Sequence, residues 1–418
     1  MTPTPSEPRG RTAAGGDTPS SARRRLLAGV AAAGALAVAP RLAFAGAGAP
    51  GGNRFVLVVL RGGMDGLSAA PAIGDPDFAS ARGPLAQFGA RALAIDSTFA
   101  LHPNLVELHA MVERREATVV HAVSLAYRQR SHFDAQQVLE SGATRPYELR
   151  TGWLGRALAA SGEKGIALET SVPLVLRGRA AVDTWAPSVL PDPSADLVAR
   201  LERIYAGDPA LATALQRARM LHLDGPQLAG TEPMAADAMA AGAAPRPGAF
   251  VVLAHRAAEF LAQPAGPQAA VLEIGGWDTH ANQANPNGPL ANGLRQLDAG
   301  LAALRNDLDA AGAWRRTVVV VASEFGREVA VNGTLGTDHG SGGVAFVLGG
   351  AVRGGVVADW PGLARAQRFE GRDLRATTDL RAVLKGALGD HLQLSSRVLE
   401  RDVFPASENV RPLALLRA

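Results

Sequence analysis

The sequence predicts an α/β protein, a three-layer α/β/α sandwich built around a mostly parallel sheet and carrying a helical insertion. Continuous apolar runs rich in β-branched residues recur along the chain, as expected for strands that are buried on both faces. Segments with helical periodicity separate these runs. Buried strands that alternate with helices are typical of a parallel sheet with helices on both of its faces.

The elements follow from the spacing of the apolar residues. Strands are predicted at 54–60, 117–123, 172–176, 269–275, 317–323 and 344–350. Helices are predicted at 104–115, 132–141, 152–161, 249–263 and 289–311. In residues 180–248, two amphipathic helices precede an Ala/Gly/Pro-rich passage at 229–248. We interpret 54–418 as one α/β domain in which 180–248 forms a helical insertion or cap, with 229–248 as a mobile loop.

Composition excludes several classes of function. The 418 residues include no cysteine, so disulfides, thiolate metal sites and cysteine nucleophiles are all ruled out. Residues 1–45 carry six arginines against two acids, so their removal would change the net charge from +3 to −1. A nearly neutral protein gives no electrostatic reason to expect binding to nucleic acid.

Residues 1–45 have the pattern of a twin-arginine signal peptide. Arg23-Arg24-Arg25 precede an apolar stretch at 26–39, and Ala43-Phe44-Ala45 resembles a cleavage site. A Gly/Pro-rich linker at 46–53 follows. We therefore expect a periplasmic or secreted protein with no stable transmembrane anchor after cleavage. The alternatives are an ordinary secretory signal with an additional arginine and an uncleaved anchor.

Polar residues that could take part in catalysis or metal binding follow the predicted strands. Ligands of open parallel sheets bind beyond the carboxyl ends of the strands, so groups that follow different strands can converge on one rim. The candidates, in chain order, are Asp65, Arg128, Arg130, Ser131, His132, Asp278, His280, Glu324, Arg327, Asp338 and His339.

The acids and histidines in this set suit a divalent metal. Asp278 and His280 are two residues apart, so in extended chain both side chains point the same way. Carboxylate and imidazole together favour Zn, Mn or Fe over Ca. For each candidate an ordinary structural role remains open: Asp65 could cap the following turn, and Glu324 could pair with Arg327.

Ser131 is the candidate nucleophile. It stands at the predicted N-cap of the helix 132–141, where the partial positive charge favours an alkoxide and a bound anion. Asp134 lies three residues on, close to a capping box, so a purely structural role is the alternative. Arg128, Arg130 or Arg327 could hold the oxygens of a phosphate or sulfate, and His132 could be a metal ligand or the acid/base.

The motifs "LRGGMDGLS", "RSHFDAQ", "GGWDTH", "SEFGR" and "GTDHGSGG", in this order, resemble the secreted bacterial family of domains of unknown function 1501. That family is grouped with the alkaline phosphatase/sulfatase superfamily. The resemblance covers about 54–390 and implies an α/β/α sandwich with a two-metal site. It implies that Asp65, Asp278 and His280 are metal ligands and that Ser131 is the nucleophile.

The superfamily's Asp-His-Gly can be aligned in two ways. By residue identity it corresponds to Asp338-His339-Gly340. By topology it corresponds to Glu324-Phe325-Gly326, with His339 as the later histidine of a glycine-rich loop. We prefer the topological alignment, with Asp338 orienting His339. It removes one imidazole ligand, so either His132 replaces that ligand or only one metal binds.

These observations predict an exported metal-dependent hydrolase of phosphate or sulfate esters, acting on a small anionic ester with one or two divalent ions such as Zn or Mn. The alternative is a non-catalytic secreted protein, a binding or assembly partner whose rim is hydrogen-bonded without an ion. A metal-dependent oxidoreductase is a weaker interpretation, because the chain lacks a Gly-x-Gly-x-x-Gly fingerprint after its first strand.

Overall fold

The computed structural model of this chain describes residues 52–87, 91–187, 193–223 and 248–417. The predicted signal peptide, most of the linker and most of the 229–248 passage lie outside the described residues. Within those ranges no helix is both long and apolar enough to cross a lipid bilayer.

A nine-stranded sheet forms the centre of the molecule. The strands are β1 Arg54–Leu60, β4 Ala117–Ser124, β5 Gly165–Ala167, β6 Val182–Thr184, β7 Ala269–Ile274, β8 Thr317–Ser323, β9 Gly343–Leu348, β10 Gly355–Val357 and β11 Thr378–Asp379, and a separate hairpin pairs β2 Leu93–Ala94 with β3 Ala100–Leu101. Across the sheet the strands lie in the order β10-β4-β9-β8-β1-β7-β5-β6, and β11 also pairs with β4. All of these pairings are parallel except those of β9, which is antiparallel to both β4 and β8.

Helices cover both faces of the sheet, which confirms the predicted three-layer sandwich. Alternate side chains of β1 belong to two different hydrophobic cores, since successive residues of a strand point to opposite faces. The first core is closed by the helices Val106–Glu113, Ala249–Ala262 and Pro289–Ala310. The second is closed by the helices His132–Ser141, Trp153–Ser161 and Leu380–Leu392. The remaining α-helices are Gly66–Ala69, Phe78–Arg82, Ala195–Tyr205, Pro209–Leu223 and Ser396–Val398.

The sheet differs from the prediction at its β5–β6 edge. The expected strand at 172–176 is a loop that ends in a 3₁₀ turn, Leu174–Leu176, whose side chains are buried, with Val175 and Leu176 in the second core. An apolar run of this length fits a buried turn as well as a strand, and Pro173 has no N–H to donate to a neighbouring strand. Val182–Thr184 belongs to the sheet, so the helical segment within 180–248 begins later than expected.

Candidate metal centre

Three imidazoles and one carboxylate meet at the carboxyl ends of the parallel strands. His132 begins the helix after β4, Asp278 and His280 follow β7, and His339 precedes β9. The Nε2 atoms of His132 and His280 each lie 3.1 Å from Nε2 of His339. Oδ1 of Asp278 lies 3.0 Å from Nε2 of His339 and 2.9 Å from Nε2 of His280.

The spacing of these atoms fits a shared divalent ion. One ligand atom from each of His132, Asp278 and His339 lies within 4.8 Å of the other two. Two nitrogens that bind one tetrahedral Zn at about 2.0–2.1 Å are themselves about 3.3 Å apart, close to the observed separations. His280 adds a further imidazole on the side of Asp278 and His339.

The second nitrogen of each ring faces a hydrogen-bond acceptor. Nδ1 of His132 lies 2.8 Å from Oε1 of Glu324, and Nδ1 of His280 lies 3.2 Å from Oδ1 of Asp338. Nδ1 of His339 lies 3.1 Å from the carbonyl oxygen of Arg130. Carboxylates and carbonyls only accept, so a neutral ring that donates from Nδ1 presents the lone pair of its Nε2 to the shared point. Lone pairs so close together repel each other unless a proton or a metal cation lies between them.

Glu324 orients His132. The carboxylate is fully buried, and it also accepts from the backbone N–H of Gly62 at 2.9 Å and from Oγ of Ser323 at 3.0 Å. Burial alone would raise the pKa of Glu324, but the hydrogen bond from His132 and the backbone donors hold it below its usual value. The carboxylate that follows β8 therefore stands behind His132, so the structure does not place it as a direct ligand.

Asp338 has the same role for His280, in a more exposed setting. Its carboxylate accepts from Nδ2 of Asn332 at 3.1 Å, and the same amide donates to the backbone carbonyl of His280 at 3.0 Å. Hydrogen bonds from Asn332 and His280 lower the pKa of Asp338. Asn332 is followed by Gly333 in the sequence, and an Asn-Gly pair by itself indicates only a turn.

Arg327 anchors Asp278. Its side chain is buried and donates to Oδ1 of Asp278 at 2.6 Å and to the carbonyls of Trp277 and Thr337 at 2.9 and 3.0 Å. Burial opposes ionisation of Asp278, but His132, His339 and Arg327 together hold its pKa far below the usual range. Arg327 is therefore enclosed by protein acceptors and is not placed to hold the oxygens of a substrate.

Asp65 does not join the cluster. It caps the short helix Gly66–Ala69, accepting from the backbone N–H of Leu67 at 3.1 Å and from Oγ of Ser68 at 2.7 Å. It also forms an ion pair with the fully buried Arg82 and accepts from the Gln283 amide. The expectation of a metal ligand fails here because protein donors already surround this carboxylate.

The arginine and serine candidates also have structural partners. Arg130 adopts a left-handed conformation with φ 61°, and its guanidinium is bound to Asp373 and Glu370 at 2.9 and 2.6 Å. Ser131 is the N-cap residue, but its side chain caps no helix N–H. Asp134 accepts from the Tyr127 hydroxyl at 3.0 Å, so the expected capping box is absent. Arg128 lies over the ring of Phe369, 5.7 Å from its centroid.

Two glycines let the His339 loop lie against the rest of the site. A Cβ added at Gly336 would lie 2.1 Å from the backbone carbon of His280, and one at Gly340 would lie 2.4 Å from that of Arg327. Any larger residue at either position would push the loop away from the strand ends. The glycines of "GTDHGSGG" therefore determine how close His339 comes to Asp278.

Several solved structures are similar to this chain at low identity. A protein of the alkaline phosphatase superfamily from Vibrio parahaemolyticus has 11% identity and a TM-score of 0.39, over 75% of this chain and 65% of its own. The phosphonate monoester hydrolase of Agrobacterium radiobacter has 14% identity and a TM-score of 0.38, over 82% and 74%.

The C-terminal periplasmic domain of EcEptC from Escherichia coli, in complex with Zn, has 14% identity and a TM-score of 0.38, over 86% of this chain and 88% of its own. No curated protein matches the sequence. Residues 53–403 match the family described as "Protein of unknown function (DUF1501)", and the chain belongs to that family.

Proposed function

We propose that this protein is an exported, metal-dependent hydrolase of phosphate or sulfate esters with one divalent ion at the cluster. His132, Asp278 and His339 would hold the ion, with His280 beside them. The observation that carries the proposal is the convergence of three imidazole Nε2 atoms on one carboxylate, each ring held at Nδ1 by an acceptor. This arrangement is typical of histidine ligands to metals.

A ligand set of nitrogens with one carboxylate oxygen suits Zn or another first-row metal. A divalent ion held there supplies Lewis acidity and neutralises charge that develops on an ester oxygen. One ion is proposed rather than two, because Asp65 is enclosed by Arg82, Ser68 and Gln283 and because Glu324 lies behind His132.

Ser131 is the proposed nucleophile. Its hydroxyl belongs to the residue that precedes His132 in the chain, and it stands at the amino end of a ten-residue helix. The partial positive charge of that helix end favours the alkoxide and an incoming anionic ester. Arg128 is the proposed contact for the ester oxygens, since within the described residues it has no carboxylate partner, whereas Arg130 and Arg327 have.

The non-catalytic alternative also has an observation in its favour. Two of the three arginines expected at the ester oxygens are used by the protein itself, so the rim provides little preformed binding for an anion. A site that holds an ion without turnover would then serve binding or assembly at the cell surface.

Metal analysis beside an activity screen distinguishes these functions. We expect protein purified from its native compartment to hold about one divalent ion per chain, and Asp278→Ala and His339→Ala to lose it. Ester hydrolysis should fall with the metal in both variants, and Ser131→Ala should lose activity while keeping the metal. His255→Ala is the matched control, because His255 pairs with Asp307 at the surface, on helices outside the cluster.

Stoichiometric metal with no hydrolysis across a broad phosphoesterase and sulfatase panel would favour the binding protein. A chain without metal, or hydrolysis that survives Asp278→Ala, would contradict the proposed centre. Export is tested separately: replacing Arg23, Arg24 and Arg25 with lysine should retain the protein in the cytoplasm if the twin-arginine route is used.

A further inference from the structure

A large cleft lies at the opposite end of the sheet from the metal centre. Its volume is about 1310 Å³, and its lining includes residues that immediately precede the strands β5 and β6, residues 264–266 shortly before β7, and the first residue of β1. These four strands are mutually parallel, so their amino ends share one edge and their carboxyl ends share the other. The cleft and the metal centre are therefore separate sites.

The lining of this cleft is strongly basic. Against two acids, Glu163 and Asp402, it presents seven cationic side chains, and one of these, Arg401, is paired with Asp402. Such a local excess is notable in a protein whose net charge without residues 1–45 is −1. The other six cations are Arg54, Arg150, Arg156, Lys164, Arg177 and Arg179.

Two of these arginines, the buried Arg54 and the half-buried Arg156, have no carboxylate partner within the described residues. Arg54 is 4% exposed, and its guanidinium donates only to the backbone carbonyls of Leu261, Gly52 and Gln263. Arg156 donates to the carbonyls of Asp402, Thr151, Ser141 and Val403 and to the Thr151 hydroxyl. Burial lowers the pKa of Arg156 to about 10. Carbonyl dipoles satisfy the donors but leave a net positive charge in the wall, which an anion in the cleft would compensate.

The mouth of the cleft adds cations that face solvent. Arg150, Lys164, Arg177 and Arg179 are exposed, and within the described residues none of them forms an ion pair. Among the described residues, the one side-chain hydrogen bond of these four runs from Nε of Arg177 to the carbonyl of Val172, at 3.2 Å. Their charges are therefore available to a ligand.

We propose that this cleft binds an anion that carries several phosphate groups. Arginine is the side chain best matched to phosphate, because its planar guanidinium can donate two parallel hydrogen bonds to one group. A single phosphate would engage only part of so many cations. The cleft is also larger than the about 300–1,000 Å³ of a typical small-molecule pocket, which leaves room for a chain of such groups.

Titration calorimetry with inorganic tripolyphosphate tests the proposal. The purified chain is first treated with a chelator, and the measurement is repeated in His339→Ala, so that the metal centre cannot account for the signal. We expect tripolyphosphate to bind more tightly than orthophosphate and the affinity to fall as salt is raised. The double variant Arg177→Gln/Arg179→Gln should weaken binding by at least about tenfold, as expected for the loss of charge-assisted hydrogen bonds.

The matched control is Arg203→Gln/Arg217→Gln, which removes the same charge from exposed positions on helices that do not line the cleft. Unchanged binding in this control, together with loss in the cleft variant, supports the site. Equal affinities in the two double variants would overturn it, because binding would then follow overall charge. Binding that is abolished by His339→Ala would place the ligand at the metal centre and overturn it too.

Discussion

The loops that follow β1 and β7 each place an aspartate at nearly the same position, but one carboxylate is enclosed by protein donors and the other faces imidazoles and solvent. The two strands are parallel neighbours, and Asp65 and Asp278 come five and four residues after their last residues. Asp65 is 1% exposed and is enclosed by an arginine, an amide, a hydroxyl and helix N–H groups. The side chain of Asp278 is 47% exposed, with one arginine on one side and imidazoles on the other.

The difference shows what makes a carboxylate available to a metal. Position at a strand end brings both acids to the same rim. Their roles then depend on whether the rest of the chain supplies enough donors to saturate the carboxylate. Where donors are in excess the acid is structural, and where imidazoles replace them the carboxylate stays available to a cation.

Removing each aspartate in turn should distinguish the structural role of Asp65 from the proposed metal-binding role of Asp278 most clearly. Asp65→Ala leaves Arg82 buried without its partner, so we expect the free energy of unfolding to fall by about 3–5 kcal/mol while folded protein still binds metal. Asp278→Ala should cost much less stability, since Arg327 keeps its carbonyl acceptors, but metal binding should be lost. Chemical denaturation and metal titration of both variants measure the two effects. Similar losses of stability in the two variants would contradict the distinction.

A smaller effect on metal affinity is expected from the carboxylates that orient the histidine rings. Glu324→Gln changes the acceptor that holds the His132 tautomer, and such orienting contacts are worth about 10–100-fold in metal affinity. Asp338→Asn is the matched change at His280. It should have a weaker effect, because Asp338 is half exposed and because the His280 ring lies at the edge of the proposed ligand group. Competition with a chromophoric chelator gives both affinities. The reverse order would make His280 a more important ligand than His132.

The smallest effect is the dependence of stability on pH in chelated protein. Hydrogen bonds to Asp278 and Glu324 raise the pKa of His132 to about 9, above its value of about 6.5 in an unfolded chain. Protonation of His132 should therefore stabilise the fold fully below pH ~6.5, and this contribution should be lost as pH rises through about 9. Thermal unfolding of chelated wild-type protein and His132→Gln, compared from pH 6 to 10, measures it, and parallel curves for the two proteins would refute it.

Much of the fold could be predicted because its central strands are long. The runs that became β1, β4, β7, β8 and β9 are each six to eight residues of buried side chains, so their spacing is clear in the sequence. The strands β5, β6, β10 and β11 have only two or three residues and leave no pattern. The 172–176 run shows the converse error, because burial by itself does not distinguish a strand from a packed turn.

The site was predicted in its location but only partly in its chemistry. His132, Asp278, His280 and His339 lie together in the structure because each follows or precedes a long strand, and their roles remain predictions. The capping role of Asp65 was one of the alternatives given by the sequence, but its ion pair with Arg82 and the contact of Glu324 with His132 were not, since these partners lie 17 residues and 192 residues away in the chain. Contacts of this kind become visible only once the sheet order is known.

The antiparallel direction of β9 has a consequence for how the protein folds. Because β9 returns antiparallel beside β8, the connection between them begins and ends at the same rim of the sheet. Glu324 and His339 both lie on this connection. That pairing closes a short stretch of chain, whereas β1 joins β7 and β8 across more than 200 residues. Pairings between distant segments form slowly because they must overcome a large loss of chain entropy. The proposed ligand set is complete only when they have formed, so uptake of the proposed ion during refolding would report the final assembly of the sheet.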